Sequence, residues 1–131
     1  MNHLHATITK LESSQGVSLV HFDLGGHALS MIALELSPSL EVGTAVILGI
    51  KATKLALCKA VPTAMSITNH LPLQVESVTM GTLLCRVMLR FEGTALESVF
   101  TRAAAEAMAL EVGEEVIALI QPSELSIVEL L

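Results

Sequence analysis

The chain reads as an all-β protein with short helices, built as two tandem OB-like five-stranded β-barrels. Three observations lead there. Residues 40–57, LEVGTAVILGIKATKLAL, return 70 positions later as LEVGEEVIALIQPSELSI. Residues 82–91, TLLCRVMLRF, alternate as a half-buried strand does, with Leu83, Cys85, Val87, Leu89 and Phe91 on one face. Each copy carries about five strand-like runs with one helical stretch before the fourth, the order of a small Greek-key barrel. The repeat extends upstream: Asn2-His3-Leu4 matches Asn69-His70-Leu71, Gly16 matches Gly81, and Ala28-Leu29 matches Ala95-Leu96. The expected division is therefore a first domain at 1–60, a linker at 61–66 and a second domain at 67–131. A unit of about 60 residues buries little apolar surface alone, so pairing of the copies, or of several chains, is expected.

In order along the first copy, His3 and His5 share one face of an opening strand. Residues 17–24 (VSLVHFDL) form a strand, Gly25-Gly26 a hairpin turn, and 28–34 the returning strand. In LSPSL, residues 36–40, Ser37 can cap a short turn of helix that Pro38 begins. A strand at 45–50, a polar kink at Lys51-Ala52-Thr53 and a strand near 54–57 close the unit. The second copy repeats this with strand 82–91, turn Glu92-Gly93 and strand 95–101. Thr101 then caps an Ala-rich helix at 102–110 that Val112-Gly113 ends. Strand 115–120, kink Gln121-Pro122-Ser123 and strand 124–130 follow.

Hydrophobic residues make up 52% of the chain and charged residues 15%, too apolar for disorder and too lightly charged for a well-solvated monomer. Much surface should be covered, which points to a homo-oligomer. No apolar run reaches membrane-spanning length, and the N-terminus lacks the pattern of a secretory signal, so a cytoplasmic protein with no membrane partner is expected. A net charge of −6, scattered Lys and Arg and the absence of Trp and Tyr argue against nucleic-acid binding. Cys58 and Cys85 stand far apart and read as core thiols.

Nothing points to catalysis: there is no nucleophile elbow, phosphate loop or HExxH, and Asp23 is the only aspartate. The five histidines (His3, His5, His21, His27, His70) have no Cys or acidic partner at ligand spacing, and no metal site is expected. Anion binding has more to stand on. Amides and hydroxyls converge at the helical starts, Ser37 and Thr101, and at the two kinks, a donor set that suits a small dianion. Ordinary capping and turn formation also explain each hydroxyl singly.

These stretches carry a family resemblance. LEVGxxVxxxIKAT, GTLLCRVMLRF and SVFTRAAAEAMALEVGEEVIALI together resemble the Mop domain of molbindins, a TOBE-like fold, over nearly the whole chain as two tandem copies. The resemblance implies reversible binding of molybdate or tungstate, without chemistry, between domains of different subunits. It also implies roles for Lys51, Ala52 and Thr53 of the first kink, Ser123 of the second, and Ser37 and Thr101 at the helix starts. Ser66, Thr68 and Asn69 stand where the family opens a domain with Ser-Ala-Arg-Asn.

No copy is complete. The second kink replaces Lys51 by Gln121, and Thr68 stands in place of the family's Arg. A composite site is therefore expected, in which Ser37, Lys51 and Thr53 meet Ser66, Thr68 and Asn69 of a neighbouring domain, with a second kind of site at Thr101 and Ser123. Tandem molbindins resemble trimers, and related regulator portions dimers. Two other roles stay open: the ligand-sensing part of a molybdate-responsive regulator or transporter ATPase, and a structural oligomerisation module that has lost its anion.

Overall fold

β1 (Asn2–Ser14) buries every second side chain at its start, Asn2, Leu4, Ala6 and Ile8, which sets the pattern for the whole molecule. The computed structural model describes all 131 residues. β2 (Val17–Leu24) and β3 (His27–Ala33) continue as a meander, followed by β4 (Ala45–Ile50) and β5 (Ala56–Cys58). The second copy gives β6 (Asn69–Met80), β7 (Leu84–Phe91), β8 (Thr94–Thr101), α1 (Arg102–Met108), β9 (Glu115–Ile120) and β10 (Ser126–Leu130). Both kinks are single 3-10 turns, Ala52–Lys54 and Pro122–Glu124.

The two hairpins turn as expected. Leu24 pairs with His27 across Gly25-Gly26, and Phe91 with Thr94 across Glu92-Gly93. All four turn residues have positive φ, which matches the right-handed twist of the strands they join.

The sheets do not follow the repeat. One has the order β10-β4-β1-β2-β3, the other β5-β9-β6-β7-β8. Each copy supplies four strands to its own sheet and sends its last strand to the other. Neither kink folds the chain back on the strand it leaves; it hands the chain across. β5 therefore pairs with β9, and β10 with β4. The buried side chains of both sheets join in one core of 25 residues, from Leu4 to Leu125.

Two asparagines lock the exchange. The Asn2 side chain donates to the Glu97 carbonyl (2.7 Å) and accepts from the Glu97 N–H (2.8 Å). Asn69, its repeat partner, does the same with Ser30: Nδ2 donates to the carbonyl and Oδ1 accepts from the N–H, both at 2.8 Å. An amide side chain matches a peptide group donor for acceptor. Each asparagine thus covers the backbone of an edge strand, β8 or β3, that would otherwise lie bare.

Four expectations need correction. Residues 36–40 form a turn, with the Leu40 N–H on the Ser37 carbonyl, and not a helix. The repeat offset grows from 67 to 70 across this region, so the first copy is three residues short, nearly one helical turn. The helix of the second copy ends at Met108, where Ala109 turns left-handed at φ 49° and donates to the Ala105 carbonyl. Leu83 lies outside β7 and is 78% exposed, because the Gly81 N–H bonded to the Leu84 carbonyl closes a turn before the ladder starts. Cys85 is a core thiol, but Cys58 is only half-buried, at the end of β5, with its Sγ on the Ala60 carbonyl.

Asn69→Ala leaves the Ser30 N–H and C=O without partners and is expected to lower stability by about 2 kcal/mol in urea unfolding. Residues 1–60 alone leave β4 without β10 and are expected to stay unfolded by circular dichroism until mixed with residues 61–131.

Candidate functional site

The strand exchange decides which candidate residues meet. The first kink starts at Lys51, whose extended backbone (φ −68°, ψ 142°) turns the chain out of β4. The Lys54 N–H closes the turn on the Lys51 carbonyl at 2.9 Å. Leu55 behind it is buried, and the buried Ser98 hydroxyl of β8 donates to the Leu55 carbonyl. The kink thus lies on β8, the strand that ends at Thr101. Lys51, Thr53 and Lys54 are exposed and Ala52 half-buried, and neither lysine has an ion-pair partner. Lys54 was not singled out from the sequence; its place three residues after Lys51 in one 3-10 turn was the available signal.

The second kink mirrors this on β3. Gln121 is extended, the Glu124 N–H meets the Gln121 carbonyl at 2.9 Å, Leu125 is buried, and Ser123 is exposed. Pro122 removes one backbone donor and Gln121 removes the charge, so this kink is the poorer anion cradle.

Ser66 and Thr68 are exposed just before β6. Ala56 faces Leu119, and Leu119 faces His70, so only β9 separates the end of the first kink from the start of β6. That is about 10 Å across the sheet. The exchange carries the first copy's kink to the sheet end where the second copy opens. Asn69 is buried there, and its amide is engaged by Ser30.

Ser37 goes elsewhere. Its hydroxyl shares a 2.6 Å hydrogen bond with Ser39, in the loop after β3, the strand that carries the second kink. No hydrogen bond joins it to Lys51. The Thr101 hydroxyl accepts from the Ala104 N–H at 3.2 Å and caps α1.

Lys59, just past β5, holds the second copy's LEVG turn. Its ammonium lies 3.1 Å from the Glu114 carboxylate and 3.3 Å from the Ala109 carbonyl. The Glu111 N–H donating to Glu114, and then Lys59, hold the Glu114 carboxyl below the usual glutamate range. On the first sheet His21, then Lys10, do the same to Glu12. Burial pushes the Cys85 thiol up, which keeps it protonated and unreactive. His3 and His5 are exposed on the outer face of β1, and no three His, Cys, Asp or Glu side chains come together. No helix is long and apolar enough to cross a membrane.

With sheets, kinks and asparagine locks in view, the class is clear: the TOBE-domain family model matches residues 1–57 and 65–127, and the chain belongs to that family, with two domains in tandem. It is similar to the molybdenum import ATP-binding proteins ModC of Brucella abortus and Brucella suis, 30% identical over 104 residues. That stretch is 79% of this chain but 28% of those proteins, so the chain spans less than a third of their length. In structure it is similar to the cytoplasmic molybdate-binding protein ModG in a form with molybdate bound. The TM-score is 0.87 and the identity 26%, over 95% of this chain and 93% of that one.

Glu114→Gln tests the turn. A carboxyl held below its unfolded range stabilises the fold above that range and loses the contribution as pH falls through the folded value. The stability gap between wild type and Glu114→Gln is expected to be present at neutral pH and to close as the pH falls below the usual glutamate range, read from urea midpoints against pH.

Proposed function

We propose that the chain binds molybdate or tungstate reversibly in the cytoplasm, for storage, homeostasis or sensing, and performs no chemistry on them. The observation that carries this reading is the end-to-end likeness to ModG, which was crystallised with molybdate bound.

The proposed sites lie between domains and between copies of the chain in a homo-oligomer, a trimer before a dimer. Lys51, Ala52 and Thr53 supply a charge, an amide and a hydroxyl. Ser66 and Thr68 add hydroxyls across β9, and Asn69 ties their segment to β3. A second kind of site pairs Ser123 of one domain with Thr101 of a neighbouring one, and Ser37 stands on the loop that follows β3, the strand beneath the second kink. Supporting this are the exposure of these hydroxyls and the unpaired state of Lys51 and Lys54 in a chain of net charge −6. A site made only of donors accepts a full dianion and leaves the proton of a hydrogen phosphate without a partner.

The likeness to ModC supports a second reading, the ligand-sensing part of a transporter ATPase, at the limited length stated above. Both readings share the ligand.

Calorimetric titration with molybdate, tungstate, sulfate and phosphate tests the proposal. Saturable heat with the two metal oxyanions is expected. Lys51→Ala removes a charge-assisted bond and is expected to weaken binding about 10- to 100-fold. Absence of heat with both metal oxyanions would leave the structural-module reading, and binding untouched by Lys51→Ala would move the site elsewhere.

A further inference from the structure

The chain holds seven Lys and Arg side chains against 13 Asp and Glu. Five of the seven, Lys10, Lys59, Arg86, Arg90 and Arg102, lie within 3.5 Å of a carboxylate oxygen. With carboxylates in such excess, an unpaired cation is the exception. Both exceptions, Lys51 and Lys54, fall in the first kink.

The turn sets them close together. The Lys54 N–H meets the Lys51 carbonyl at 2.9 Å, so the two residues are the first and last of one four-residue turn. Their Cα atoms then lie within about 7 Å. Both side chains are exposed, and each carries its ammonium on a flexible four-carbon stem. Two such groups reach one small anion from two sides, and the anion relieves their mutual repulsion.

The turn itself does not need Lys54. In the second kink Glu124 takes the equivalent place, and its N–H meets the Gln121 carbonyl at the same 2.9 Å. The backbone is kept and the charge is inverted. Lys51 and Lys54 give the first kink +2, whereas Gln121 and Glu124 give the second −1. Glu124 is exposed, and no cation pairs with it. The other residues proposed for the first site, Ala52, Thr53, Ser66, Thr68 and Asn69, are uncharged. Lys51 alone would leave a dianion half neutralised.

We propose, on the oxyanion reading above, that Lys54 is a second anion-binding residue of the first kink, and that the Lys51–Lys54 pair sets its preference for dianions. The pair matches two negative charges, and a tetrahedral monoanion gains about half as much from it. Glu124 opposes any anion at the second kink, so the two kinds of site bind unequally, the first more tightly.

Calorimetric titration with tungstate at about 0.01 M and about 1 M salt tests this. Lys54→Gln is expected to weaken binding roughly tenfold at low salt and less than about twofold at high salt, as a charge contact screened by ions requires. Lys54→Glu, which installs the second copy's residue, is expected to weaken it roughly a hundredfold at low salt, and Lys54→Arg to keep wild-type binding. Lys10→Gln removes the same charge near the far end of β1 from Asn2, the partner of Ile50, and is expected to bind as the wild type does. Unfolding midpoints of the Lys54 variants are expected to match the wild type, because the second copy builds this turn without a lysine. If tungstate binding is weakened by Lys51→Ala but not by Lys54→Gln, Lys54 has no part in the site and the oxyanion reading stands. A wild type that binds no tungstate overturns both. A loss in Lys54→Gln that salt leaves unchanged, or that Lys10→Gln equals, overturns the role of Lys54.

Discussion

The exchange of last strands between the two sheets is the constraint on which the remaining features depend. β4 and β9 each need a neighbour on the side away from β1 and β6, and in both cases the other copy supplies it. A unit of about 60 residues with an open edge and a thin core has little stability of its own. Exchange removes the open edge and merges two thin cores into one of 25 residues. The asparagines at the repeat-equivalent positions 2 and 69 then cover the backbones of β8 and β3, which strand pairing leaves free. Each half of the molecule completes the other through main-chain bonds, so the two domains hold a definite mutual position.

That fixed relation decides which candidate residues of the two copies come near one another. The first kink keeps Lys51 and lies on the strand of the second domain that ends at Thr101. The second kink, with Pro122 in place of an amide donor, lies on the strand that leads to Ser37. Residues that share a copy in sequence are separated, and residues from different copies are brought to one sheet end. Sequence differences can accumulate at kinks, tips and the β3–β4 loop because these are exposed, whereas the equivalent pairs Val46 and Val116, and Ile50 and Ile120, are buried and unchanged between the copies.

Much of the fold was legible from local pattern. The alternation in VSLVHFDL marks β2 to the residue, and both glycine-bearing hairpin turns fall where expected. The Thr101 cap is read correctly because capping is set by residues within one turn. Local pattern misled where neighbours decide. Ser37 and Pro38 look like a helix start, but the loop is one helical turn too short to need one. Leu83 keeps the alternation of β7 while a turn at Gly81 takes it out of the sheet. Nothing local shows that Asn69 is buried, because its partner Ser30 lies 39 residues away.

By itself, then, the sequence determined the strands, the turns, the duplicated unit and the family resemblance, all carried by periodicity and short spacing. The tertiary structure decided which sheet each last strand joins, and with it which candidate residues share a sheet end. The physical reason is that antiparallel pairing is satisfied equally well by either copy's final strand, since the two are built on one pattern. Only the packing of each kink on the opposite domain, and the asparagine bonds made across 95 and 39 residues, select the exchanged arrangement.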